Sequence, residues 1–111
     1  DQIGRPTYTL DLARLLTDMI ETEKYGFYNA TNEGDYISWY DFACEIFRQA
    51  GNINPIYKKV SISPVSADCY PAKAKRPSNS RMDKSKLTEN GFEPLPSWQN
   101  ALERYLKEIE V

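Results

Sequence analysis

Three stretches of the chain carry apolar residues at helical spacing. Leu12, Leu15, Leu16, Met19 and Ile20 fall on one stripe, the pattern of an amphipathic helix that buries a single face. Thr9 is placed to cap that helix and Asp11 to favour its first turn, while Tyr25-Gly26 predicts its end near Lys24. A second stripe, Phe42, Ala43, Ile46, Phe47 and Ala50, follows Ser38. Asp41 stands there in a capping-box-like position, and Gly51 is the expected stop. The last stripe, Trp98, Ala101, Leu102, Tyr105, Leu106 and Ile109, follows the cap candidate Ser97. Between these helices, residues 27–31 are rich in β formers and predict a short strand. Residues 32–35 read as a turn, and 56–62 alternate partly, as a second strand would. Residues 5–9 should be extended, because Pro6 fixes its own φ and restricts Arg5. Residues 63–80, rich in proline and polar side chains, read as loop, and 83–88 as a short helix closed by Asn90-Gly91. The sum is a single helix-dominant α/β domain over residues 1–111, whose few short strands predict partner strands from outside the chain.

Composition narrows the function classes. With 41% hydrophobic and 27% charged residues, the chain has the balance of a globular domain, not a disordered one. Its 111 residues fit one domain but not a dinucleotide-binding domain plus a substrate domain. Histidine is absent, which excludes imidazole bases, Ser-His-Asp triads and His-ligated metals. A formal net charge of -2 argues against nucleic acid as partner, and no apolar run reaches the ~20 residues of a membrane helix. Cys44 and Cys69 form neither a C-x-x-C pair nor a disulfide framework, so a cytoplasmic setting is expected and the Asn29-Ala30-Thr31 glycosylation triplet is read as chance. The chain opens on Asp1, with no initiator methionine, as a piece of a longer protein would.

The densest local chemistry lies in the loop Lys73-Ala74-Lys75-Arg76-Pro77-Ser78-Asn79-Ser80-Arg81. Arg76, ahead of a proline, sits on extended backbone, and its planar fork of donors suits phosphate oxygens. Asn79 and Ser80 add neutral donors; the plainer alternative is a solvated basic loop. In Gly4-Arg5-Pro6-Thr7 the glycine permits close backbone approach, and Arg5 and Thr7 could reach a polar ligand, against a plain turn into the helix. Tyr36, Trp39, Tyr40 and Phe42 could line a sugar or base pocket, but aromatics at such spacing are ordinarily core. The run 24–28 departs from the glycine spacing of RNA-binding aromatic strands. No glycine-rich dinucleotide fingerprint, no Tyr-x-x-x-Lys dyad, no nucleophile elbow and no metal-loop spacing occurs, so no catalytic, cofactor or metal residue is assigned within the chain.

Several segments in register carry a resemblance. Residues 1–13, Asp1-Gln2-Ile3-Gly4-Arg5-Pro6-Thr7 through Asp11-Leu12-Ala13, resemble the DQ-x-G-x-PT-x-x-x-DLA segment of dTDP-4-dehydrorhamnose reductases. Phe27-Tyr28-Asn29-Ala30-Thr31, Ser38-Trp39-Tyr40-Asp41-Phe42-Ala43 and the helix at 98–106 are similar to their following elements. Arg76-Pro77-Ser78-Asn79-Ser80 with Asp83, Lys86 and Leu87 resembles their RP-x-NS-x-x-D-x-x-K-L segment. The resemblance implies the C-terminal substrate-binding lobe of an extended short-chain dehydrogenase, whose N-terminal Rossmann domain lies outside this chain. It implies a parent enzyme that reduces dTDP-6-deoxy-L-lyxo-4-hexulose to dTDP-L-rhamnose with NADPH or NADH, in polysaccharide biosynthesis. The hydride-transfer residues would lie in the absent half, so this chain alone is expected to be inactive and to bind no cofactor. Its partners would be the dTDP-sugar nucleotide and the Rossmann domain, with a homodimer also compatible. On this reading Arg76 contacts the diphosphate, Asn79 and Ser80 contact the ligand or shape its loop, and Gly4, Pro6 and Thr7 contact it or shape the backbone, while Arg5 joins them as a substrate-binding candidate on its local chemistry alone. A second reading is a non-catalytic regulatory relative, similar to the beta subunit of methionine adenosyltransferase.

Overall fold

Ser38 opens the second helix by exchanging hydrogen bonds with Asp41. The Asp41 N–H donates to Ser38 Oγ and the Ser38 N–H to the Asp41 carboxylate, both at 3.1 Å. This reciprocal box satisfies donors that every helix start leaves over. In the computed structural model, which describes residues 1–111, the helices are α1 Thr9–Ile20, α2 Trp39–Ile53, α3 Ser85–Glu89 and α4 Trp98–Glu108. Short 3-10 turns stand at Pro55–Lys59 and Ala67–Cys69. The strands β1 (Ile3–Gly4) and β2 (Ile37–Ser38) pair antiparallel, with Ile3 opposite Ser38 and Gly4 opposite Ile37. On the other edge of β1 the basic loop joins in parallel. Ile3 N–H donates to Ser78 O at 2.8 Å, and Ser80 N–H donates to Ile3 O at 2.7 Å. The fold is therefore helix-dominant, as expected, but its small ladder lies in segments whose pairing is non-local.

Several expectations are corrected. Thr9 lies inside α1; the N-cap is Tyr8, whose N–H donates to Asn32 Oδ1 at 2.7 Å. A distant side chain, which a local window does not reveal, thus holds the N-cap residue, and no side chain caps the helix itself. α1 stops at Ile20, short of Lys24. Residues 27–31 form no ladder, and the Phe27 carbonyl accepts from Lys86 Nζ at 2.8 Å instead of from a neighbouring strand. Residues 56–62 are not a strand either, since Pro55 and the Asn54 side chain, accepting from Ile56 N–H at 3.2 Å, start a 3-10 turn. Gly51 does not end α2. It is buried inside the helix, where an added Cβ would stand 2.9 Å from Lys58 Cγ, so glycine is there for close approach of that turn.

Two apolar clusters hold the chain. Leu15, Leu87, Phe92 and Leu95 join α1 to α3 and the turn after it, with Met19, Tyr28 and Ala30 packed against them. Ala50, Trp98, Leu102 and Leu106 join α2 to α4, flanked by Ile37, Phe42 and Ile46. Of the first stripe, only Leu15 is fully buried; Leu16 and Ile20 face outward at 52% and 80% exposure. Tyr105 and Ile109 of the last stripe are exposed as well. The Cα radius of gyration is 16.3 Å, where a compact chain of this length has about 13 Å. The shape and the outward apolar residues describe a lobe that buries less than a self-sufficient domain does.

Buried polar groups tie the clusters together. Arg104 grips the Asp11 carboxylate with two hydrogen bonds of 2.9 and 2.6 Å, linking α4 to the first turn of α1. Asn32 donates to the same carboxylate at 2.8 Å and to Pro96 O at 2.9 Å. Lys84 donates to Glu33 at 2.6 Å. Beside them Gly34 has φ +113°, and an added Cβ would lie 2.7 Å from Trp98 Cδ1. Gly34→Ala should therefore lose about 1–3 kcal/mol of stability, from backbone strain and collision with a buried ring. Urea denaturation of the variant against the parent checks this, and an unchanged midpoint would contradict it.

Candidate functional site

The ladder gathers three parts of the chain around one cleft. Pairing of β1 with β2 sets Gln2 beside the start of α2, and the parallel segment 78–80 brings the residues just before it, Lys75 and Arg76, to the same place. Asp1 Oδ1 accepts the Ala67 N–H at 2.9 Å, which ties the loop over the opening. The cleft measures about 920 Å³ and is lined by Asp1, Gln2, Ser38, Trp39, Tyr40 and Ala43 on one side. The facing wall comes from residues of the 62–76 loop, among them Tyr70, Lys75 and Arg76. This volume lies in the range of small-molecule sites.

Tyr36, Trp39 and Tyr40 correct the sequence reading, which favoured core for all three; Tyr36 lies 38% exposed beneath Arg5. Trp39 is 71% exposed and Tyr40 38%, whereas Phe42 turns inward and meets Trp98 edge-on at 5.9 Å. The reason is positional. A helical side chain leans toward the N-terminus, so the first residue of α2 has no preceding turn to cover and reaches past the helix end over the cleft. That lean, read at the residue directly after a cap, is the signal that could have identified it. The Cys44 thiol raises the Tyr40 phenol above its ordinary value, and a phenol is a neutral hydroxyl at pH 7 with or without that shift.

The structure divides the candidate residues among different places. Arg76 lines the cleft, exposed and outside every ion pair of the chain. Asn79 turns its Oδ1 to the Arg81 N–H at 3.0 Å and so shapes the loop, while Ser80 backs onto Gly4. Arg5 lies over the Tyr36 ring, with Cζ 3.9 Å from the centroid. Thr7 is elsewhere: its hydroxyl bonds Thr31 Oγ1 at 2.6 Å, and it borders a separate 330 Å³ cavity with Tyr8, Phe42 and Trp98. No group of three or more Cys, Asp or Glu side chains converges to hold a metal ion. No parallel strand, glycine-rich turn and helix unit is present to cradle a dinucleotide pyrophosphate. No helix is long and apolar enough to cross a membrane. The cleft itself offers aromatic faces, a phenol hydroxyl and exposed cations, a set suited to binding and orienting an anionic aromatic ligand.

A family model described as the RmlD substrate binding domain matches residues 1–111. Among curated proteins, a dTDP-4-dehydrorhamnose reductase of Aggregatibacter actinomycetemcomitans is 40% identical, over 92% of this chain and 36% of its own length. The spore coat polysaccharide biosynthesis protein SpsK of Bacillus subtilis is 35% identical, over 97% of this chain and 35% of its own. Among solved structures, the dTDP-4-dehydrorhamnose reductase of Bacillus anthracis, in complex with NADP, superposes with a TM-score of 0.84 at 40% identity, over 97% of this chain and 35% of that one. The Clostridium acetobutylicum reductase superposes at 0.88 with 34% identity, over 100% of this chain and 37% of that one. The chain thus spans little more than a third of the length of the relatives it matches.

Proposed function

Given that this chain belongs to the RmlD substrate-binding family, we propose that it forms the sugar-nucleotide-binding lobe of a longer dTDP-4-dehydrorhamnose reductase. The observation that supports this reading is the cleft between the first turn of α2 and the 62–76 loop, which Trp39, Tyr40 and Arg76 all line. In it, Arg76 takes the diphosphate, an exposed fork of donors having no protein acceptor to compete with the ligand. Trp39 supplies a flat apolar face for the base or the sugar, and Tyr40 supplies a hydroxyl. The Asp1–Ala67 contact holds the loop that carries Arg76 in position.

The ligand's 4-keto sugar would then be presented to the rest of the protein, to which we assign the Rossmann fold, the dinucleotide and the hydride-transfer residues. NADPH or NADH, bound there, supplies the hydride; this lobe's share is to bind, orient and help exclude water. The outward Leu16, Ile20 and Phe27 and the low burial fit a lobe that meets further protein.

Arg76→Ala in the full-length protein should raise the dissociation constant for dTDP-L-rhamnose roughly ten- to a hundred-fold, the weight of a charge-assisted hydrogen bond. Isothermal titration measures it directly. An unchanged constant would remove the phosphate role of Arg76.

A further inference from the structure

The ion pairs of the chain join Arg48 to Glu45, Lys84 to Glu33, Arg104 to Asp11 and Lys107 to Glu103. Arg5 and Arg81 belong to none of them. Both lie instead against one ring: Arg5 Cζ stands 3.9 Å and Arg81 Cζ 5.3 Å from the Tyr36 centroid. The Nε of half-buried Arg5 is shut from solvent and has no hydrogen-bond partner. Tyr36 is held in place by its hydroxyl, which donates to Met82 O at 3.2 Å.

The register produces this arrangement. Gly4 opposes Ile37 across the antiparallel pair, so the next residue outward on each strand brings Arg5 to Tyr36. Ile3 is bridged in parallel to Asn79, so the chain continuing in the same direction brings Arg81 alongside. Arg76 lies at the other end of the 78–80 segment, in a cleft lined by neither Arg5, Tyr36 nor Arg81. The basic loop therefore divides its cations between two ends of one ladder.

Two guanidiniums brought to one ring repel each other, and the negative face of a phenol offsets only part of that cost. An anion shared between the two guanidiniums would offset the rest. A carboxylate matches a single guanidinium fork and leaves the second charge uncompensated, whereas a phosphate dianion matches both charges and has acceptor oxygens for both forks. We propose that Arg5 and Arg81, stacked on Tyr36, form a phosphate site separate from the Arg76 cleft. Its ligand is a phosphate dianion, either inorganic phosphate or the terminal phosphate of a nucleotide. The inference stands on the arginine pair alone and does not require the sugar-nucleotide reading.

The test is a titration of the ¹⁵N-labelled full-length protein, followed at the arginine Nε–Hε resonances, with inorganic phosphate, dTMP and acetate at constant ionic strength. Saturable movement of the Arg5 resonance with phosphate or dTMP but not acetate is expected. Tighter binding of dTMP assigns the site to a nucleotide, and equal binding assigns it to the free ion. Arg81→Gln should weaken binding on the order of tenfold or more, and Arg81→Lys, which keeps the charge but loses the fork, should fall between. Arg76→Ala should leave this dissociation constant unchanged, although it weakens dTDP-L-rhamnose. Absence of a saturable shift, an equal response to acetate, or equal weakening by Arg76→Ala would overturn the proposal, and none of these would touch the dTDP-L-rhamnose result.

Discussion

Arg104→Ala should destabilise the protein by about 3 kcal/mol, because it strands a buried carboxylate. The Asp11 side chain is 1% exposed, and Arg104 compensates its charge through two hydrogen bonds. Arg104 is itself 32% exposed, so solvent can partly replace it, and the loss belongs at the low end of the range for breaking a buried pair. The same network predicts acid sensitivity. Burial pushes the Asp11 carboxyl up, but the hydrogen bonds from Arg104 and Asn32 outweigh it and hold the group below its ordinary 3.8. A depressed carboxyl contributes stability that is fully present above the unfolded-state value and is lost as pH falls through the folded-state value. Stability should therefore be level at neutral pH and decline below about pH 4, with a smaller decline in Asp11→Asn. Denaturant midpoints across pH for the parent, Arg104→Ala and Asp11→Asn measure both effects. An Arg104→Ala variant as stable as the parent would show that α1 and α4 are held by apolar contact alone.

Trp98→Ala should cost about 3–5 kcal/mol, the range for emptying a buried aromatic site. Trp98 is 5% exposed and centres the cluster of Ala50, Leu102 and Leu106. It meets Phe42 edge-on at 5.9 Å, and Gly34 lies against its ring. Its backbone N–H also donates to Glu33 O at 2.8 Å, so the residue fixes the 32–34 turn as well as the α2–α4 contact. Trp98→Phe, which keeps the apolar ring, should lose much less. Thermal melts followed by circular dichroism separate the two variants. Equal losses would mean that ring size and not aromatic filling sets the cost.

The helices were legible in the sequence because their determinants are local. Ser38 and Ser97 announce their helices by side chains that reach donors three residues ahead, and Asn90-Gly91 closes α3 with Gly91 at φ +81°. What escaped was set by partners far along the chain. Tyr8, at the start of α1, is held by Asn32, and the strand at Ile3–Gly4 exists only because 37–38 and 78–80 flank it. The β-rich run 27–31 has the composition of a strand but not a neighbouring edge to pair with. For the site, the basic loop was visible as charge, but its division between Arg76 and Arg81 depends on the ladder register. Trp39 and Tyr40 were hidden by a periodicity argument that fails at the first turn of a helix. Leu16 and Ile20 extended the apolar stripe of α1 beyond what this chain buries, since periodicity reports an apolar face and not its partner.

The most direct measurement is an NMR titration of the full-length protein with dTDP-L-rhamnose, with UDP-glucose as the control nucleotide sugar. The account predicts saturable shifts clustered at Trp39, Tyr40 and Arg76, stronger for the thymidine ligand. Saturable binding that leaves those residues unmoved would contradict it and place the sugar nucleotide outside this lobe.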